Sequence, residues 1–177
     1  MKSFALSLCL LVTLLFPGYS SLYGQIKTMY VPLTAQLEIE VIIPLGIIKE
    51  SDLSFGFALP GNGTGYVTIL PAENPQRSAS GAASLLPTAP GIVSAGKFRI
   101  TGTPGAQVNT AFSLNSILLW REGGIASMVL NLTKSSSSLQ LDSSGEGVFY
   151  VGGTVTIWWG QILGHYTGTF NVTVSYN

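Results

Sequence analysis

The chain has 177 residues, with eight Lys plus Arg against eight Asp plus Glu, one Cys, and charged residues at only 9%. A balance near zero excludes the basic field that would draw in nucleic acid or anionic lipid. One Cys excludes a disulfide framework within the chain, so the core and the sheet ladders must hold the fold.

The N-terminus reads as a secretory signal peptide. Lys2 supplies the positive start, residues 4–16 (FALSLCLLVTLLF) form an apolar run, and Pro17-Gly18 breaks it. The run is too short for a transmembrane helix, which needs about 20 residues. Cleavage is placed after Gly24, with Ser20 or Ser21 as alternatives, and it removes Cys9 with the signal. This divides the chain into a signal peptide over 1–24, an extension over 25–34 and a single domain over 35–177, with no transmembrane segment in the mature chain.

Beyond the signal, short apolar runs recur between Gly, Pro, Asn and Ser, which is the pattern of an all-β sandwich or barrel. Ala35, Leu37, Ile39, Val41 and Ile43 alternate with polar residues, and Pro44 ends that strand. Short strands follow over residues 53–57 and 66–70, and a weak Ser/Ala/Gly strand over 77–86. Phe98 with Ile100, then Val108 through Leu114, then Met128, Leu130 and Leu132 give three more, the last closed by the loop 135–138. Residues 148–157 are expected to form a hairpin around Gly152-Gly153. A three-residue loop is favoured over a two-residue one because it collects Phe149, Val151, Val155 and Ile157 on one face. A crossing between sheets is the alternative.

The ending carries the clearest pattern. Tyr166, Gly168, Phe170, Val172, Val174 and Tyr176 alternate strictly with Thr167, Thr169, Asn171, Thr173 and Ser175. Such period-2 alternation predicts one strand with a buried face and a wet face. At ~3.3 Å per residue it would span roughly 36 Å.

Three segments in order carry a resemblance: Asp52-Leu53-Ser54-Phe55-Gly56, then Val151-Gly152-Gly153-Thr154-Val155, then the ending from Gly164 through Tyr166, Gly168, Phe170, Val172, Val174 and Tyr176 to Asn177. Together they resemble the exported bacterial family called domain of unknown function 4402. The resemblance implies an immunoglobulin-like antiparallel β-sandwich on the bacterial surface, and it implies no activity. Trp158 and Trp159 replace the small or polar residues usual in that family. More loosely, the ending resembles that of chaperone–usher pilins, with Tyr176 penultimate and Gly164 at the matching glycine. That resemblance implies strand pairing with a chaperone or a further subunit through Gly164–Tyr176. The chain departs from many pilins in lacking a disulfide.

Candidate chemistry is sparse. His165 is in phase with Thr167 and Thr169, on the wet face, and no Cys survives to join it in a metal site or a triad. Glu38 and Glu40 share a strand face, with no facing partner for paired-carboxylate hydrolysis. Trp158-Trp159 is the best candidate contact surface: strand neighbours point to opposite faces, so one of them faces out unless a bulge or loop intervenes. An exposed Trp could stack on a sugar ring or anchor a protein.

The sequence therefore predicts an immunoglobulin-like β-sandwich, with a small outer-membrane β-barrel as the alternative. It predicts a non-enzymatic exported structural or surface protein, such as a fimbria-like subunit or adhesin module, in the periplasm, at the cell surface or outside the cell. Its expected partners are further copies or a periplasmic chaperone through the C-terminal strand. The alternative is a glycan- or protein-binding module using Trp158 and Trp159. No cofactor, metal or nucleic acid is expected.

Overall fold

Alternating side chains, rather than long apolar runs, build this molecule. The structure, a computed structural model, describes residue 39 and residues 43–177 apart from 87 and 90. Every regular element among them is a strand. In chain order these are β1 (Gly46–Ser51), β2 (Ser54–Phe55), β3 (Ala58–Leu59), β4 (Gly65–Ile69), β5 (Arg77–Gly81), β6 (Ser84–Leu85), β7 (Val93–Ser94) and β8 (Gly96–Thr101). Then follow β9 (Gln107–Phe112), β10 (Ser116–Arg121), β11 (Ser127–Lys134), β12 (Ser138–Gln140), β13 (Glu146–Ile157), β14 (Tyr166–Thr167) and β15 (Val172–Tyr176). The signal peptide, the extension 25–34 and most of the strand expected over 35–43 lie outside the described residues.

β13 is the spine. Val151 at its middle pairs with Gly96 of β8 on one edge and with Lys134 of β11 on the other. Further along, Gly153 to Ile157 pair with β4 on the edge that β8 has left, so β8 and β4 lie end to end along one side of β13. The large sheet runs β1-β8-β13-β11-β10-β14, with β4 and β5 branching from β13. All its pairs are antiparallel. A three-stranded sheet, β12-β9-β15, supplies the second layer, and β2-β7 and β3-β6 are two small ribbons. The result is an antiparallel β-sandwich. Among the described residues the ends of the large sheet, β1 and β14, do not pair with each other, so these strands do not close into the alternative barrel.

Two strand expectations need correction. Residues 148–157 make no hairpin: Gly152 and Gly153 sit inside the continuous strand β13. The glycines serve close approach instead of a turn. A Cβ on Gly152 would stand 2.2 Å from the Ile69 carbonyl oxygen and 2.8 Å from the Pro71 nitrogen, and one on Gly153 would stand 2.6 Å from the Asn131 oxygen. The closing segment is also not one strand. Tyr166 and Thr167 pair with β10 in the large sheet, while Val172 to Tyr176 pair with β9 in the small one. The residues between carry the chain from one layer to the other. Alternation survives the crossing: all the even positions from 166 to 176 except Gly168 are half-buried, and all the odd ones are exposed. Period 2 fixed the faces and was blind to the change of sheet.

The core fills the space between the layers. Val67, Ile69, Phe98, Ile100, Leu130, Phe149, Val151 and Val155 come from the large sheet, and Val108 from the small one. Phe170 ties them together. Its ring meets Phe98 edge-on at 6.1 Å and Phe112 edge-on at 6.0 Å, and Phe98 stacks on Phe149 at 5.2 Å. Such pairs add about 0.5–1.5 kcal/mol each beyond the area they bury.

A second tie joins Tyr176 to Ile43 and Thr103. The Tyr176 hydroxyl accepts the Thr103 N–H at 2.8 Å and donates to the Ile43 carbonyl, while the Ile43 N–H donates to Thr103 Oγ1 at 3.0 Å. Gly102 makes room for this, since a Cβ there would lie 2.6 Å from the Tyr176 hydroxyl.

Candidate functional site

The expected strand-pairing segment runs along two edges. Gly164 lies in the loop before β14, at φ +157. A Cβ there would strike the Arg121 side chain, whose Nε donates to the Leu163 carbonyl at 3.0 Å. Tyr166 is held by its hydroxyl, which donates to the Ile162 carbonyl at 2.6 Å. Gly168 is exposed against β10, and Phe170 is the core bridge described above.

β15 forms one border of the small sheet. The Ser113 N–H donates to the Asn171 carbonyl at 3.3 Å, and the Asn177 N–H donates to the Gln107 carbonyl at 3.0 Å. The odd residues thus turn their backbone polar groups toward β9. Val172, Val174 and Tyr176 turn theirs the other way, where no strand among the described residues pairs with them.

The outer face of the large sheet divides into two halves. Over β1, β8 and the first half of β13 it is charged. Glu50 meets Lys97 Nζ at 2.9 Å and Arg99 Nε at 2.5 Å, and Arg99 reaches Glu146 at 2.7 Å. Lys97 first, then Arg99, hold the Glu50 carboxyl below its ordinary range, and Glu50 in turn raises both bases. In the turn before β13, Asp142 is lowered too. It accepts the Ser144 hydroxyl at 2.6 Å and the N–H groups of Glu146 and Ser144 at 2.9 and 2.8 Å.

A depressed carboxyl adds stability above the unfolded value near pH 4 and loses it as pH falls through the folded value. The thermal midpoint is therefore expected to hold from pH 7 to about 5 and to fall between about 5 and 2, with a shallower fall in Asp142→Asn. An equal slope in that variant would contradict the assignment.

The other half of this face carries no charge. The outward positions of β4, β5, β10, β11 and the last part of β13 are Ser, Thr, Asn, Gly, aliphatic or aromatic. Thr68 and Thr154 join their hydroxyls across the β4–β13 pair at 2.9 Å. Leu118, Val129, Thr156 and Tyr66 stand in one register row, and Trp120 stands one step along β10 from Leu118. Trp158 follows Ile157 in phase with Thr154 and Thr156. Trp158 is the first residue past β13, and the β11–β13 register carried two pairs beyond Val129 and Thr156 sets it opposite Ser127, which pairs with Trp120. Trp120, Trp158 and Tyr66 are 50%, 49% and 41% exposed.

Both expected contact residues are exposed, because a turn intervenes. β13 ends at Ile157, and a turn closed by the Gln161 N–H on the Trp158 carbonyl at 3.1 Å carries Trp159 into solvent at 74% exposure. Alternation applies only while the strand lasts. Beside Trp120, a cleft of about 580 Å³ opens between the rim of β10 and the residues after β14, lined by Leu114, Ser116, Leu118, Trp120, Thr167 and Thr169. A smaller one of about 260 Å³ lies by Ser51, Glu73, Lys97 and Tyr150.

Trp120 and Tyr66 escaped the sequence reading as contact residues. Ile117-Leu118-Leu119-Trp120 is apolar on both faces and shows no alternation. The only signal was a β-prone run before the turn Glu122-Gly123-Gly124. His165 is exposed, as its phase indicates, and its Nδ1 lies 2.9 Å from Glu122 Oε1.

Among the described residues no cluster of His, Cys, Asp and Glu is placed to hold a metal. No helix among them is long and apolar enough to cross a membrane. No curated protein and no solved structure matches the chain. One family model matches residues 45–176, reaching from the start of β1 to the end of β15. The chain belongs to the family described as domain of unknown function (DUF4402).

Proposed function

We propose that the chain is a non-enzymatic, exported structural protein of the bacterial surface, a fimbria-like subunit or adhesin module that assembles by strand addition. The observation that carries this is the border of β15. Three residues, Val172, Val174 and Tyr176, direct N–H and C=O groups away from β9 along a strand whose side chains already alternate. An extended segment that lies along such an edge gains main-chain hydrogen bonds at every second residue. A periplasmic chaperone would use the same edge first. Surface extracts run unboiled on a gel are expected to show a ladder of multimers that collapses on boiling. A freely soluble monomer under all conditions would overturn the reading.

Exposed Trp158 and Trp159 favour a second reading, an extracellular glycan- or protein-binding module. Binding to immobilised glycans that survives both Trp158→Ala and Trp159→Ala would count against it.

A further inference from the structure

We infer that the uncharged half of the large sheet's outer face is a platform for a neutral polysaccharide, with Trp120, Trp158 and Tyr66 as its stacking surfaces. The proposal rests on the glycan form of the second reading and narrows it to one face and one ligand class.

Four observations carry it. First, the rings are presented together. Trp120 and Trp158 are two strand spacings apart in the continued register, roughly 10 Å between Cα positions. Tyr66 stands on the next strand beyond β13. Second, each ring is about half exposed, so each is braced by the sheet and still has a flank open to a ligand. A braced ring has little side-chain freedom left to lose on binding. Third, the surroundings carry no charge: Leu118 and Val129 lie among Ser, Thr and Asn, whose hydroxyls and amide exchange hydrogen bonds with sugar hydroxyls. The charged residues of the same sheet face sit on β1, β8 and the first half of β13. An anionic glycan, a nucleic acid or an anionic membrane would find no cation on the platform. Fourth, the 580 Å³ cleft beside Trp120 is within the size range of ligand sites and brings the hydroxyls of Ser116, Thr167 and Thr169 to the edge of the platform. A chain polymer could lie across the rings and lodge one unit there.

A lipid surface fits less well. Ser80 beside Tyr66, Ser127 beside Trp120, and Ser116 and Asn131 in the next row would have to be stripped of water with nothing offered in return. Trp159 lies inside the turn that follows β13.

The test uses the full exported chain in affinity electrophoresis through gels containing β-glucan, mannan, galactan, or the anionic alginate, with tryptophan fluorescence read in parallel. Retardation by at least one neutral polysaccharide is expected, unchanged between low and high salt. Trp120→Ala and Trp158→Ala should each weaken it about tenfold, and Trp120→Phe, which keeps a ring, should weaken it less. Unchanged thermal melts confirm that the variants are folded.

Retention lost in Trp159→Ala but kept in Trp120→Ala and Trp158→Ala would overturn the platform and leave glycan binding standing. No retention by any neutral polysaccharide would overturn both. Preference for alginate, or co-sedimentation with phosphatidylcholine vesicles lost in the same Trp120 and Trp158 variants, would also overturn it.

Discussion

Removal of residues 168–177 is expected to leave a chain that does not fold. The deletion takes away β15 and with it the pairing of β9 from Val108 to Phe112. It also removes Phe170, Val172, Val174 and Tyr176, all packed against the core. At about 1–3 kcal/mol for each side chain, the loss is on the order of 5–10 kcal/mol as an upper bound, comparable with the whole net stability of a domain. Phe98 and Phe112 would lose the ring that joins them. Circular dichroism and a urea titration would read the result, and a cooperative transition near that of the full chain would contradict it. The milder Tyr176→Phe leaves the Thr103 N–H and Ile43 carbonyl without their partner and should cost about 1–3 kcal/mol.

The second large effect is expected at Gly152. Valine there would drive its Cβ into the backbone of Ile69, Leu70 and Pro71, at 2.2 Å from the nearest oxygen. Backbone cannot swing aside as a side-chain tip can, so β4 must separate from β13 or the strand must bend. A loss above about 3 kcal/mol in urea unfolding is expected. Gly105→Ala offers the contrast. Its φ is +73 but its Cβ would meet nothing within 4 Å, so only the left-handed backbone is strained, by about 1–2 kcal/mol. A Gly152→Val protein as stable as Gly105→Ala would mean that β13 is not continuous there.

These two sites show what the sequence could and could not tell. Alternation made the faces legible. Val67 and Ile69, Phe98 and Ile100, Leu130 and Leu132 all point inward as their spacing requires. It could not report which sheet a residue belongs to, because side-chain period is the same on either side of a crossing. Hence the closing segment read as one strand. Gly152-Gly153 read as a turn because a turn and a close backbone approach both require a missing Cβ. Only the carbonyl of Ile69, far away in sequence, distinguishes them. β1 was missed behind Pro44, and β10 because it is apolar on both faces. The candidate platform was half visible for the same reason. Trp158 stands beside an alternating strand, whereas Trp120 lies inside the run that concealed β10. Its pairing with Ser127, on the strand that lies between it and β13, is a property of register alone.

The Tyr176 hydroxyl bonded to the Ile43 carbonyl spans 133 residues of sequence. It therefore closes a loop that contains nearly all of the described chain. Closing so long a loop before its contacts can reward it is slow, and folds dominated by such pairings form in milliseconds to seconds. The ring that locks the two layers, Phe170, also arrives within the last ten residues. The sandwich therefore cannot close around its core until the segment from Phe170 to Tyr176 has been placed, and everything before it in the described chain must wait for that segment.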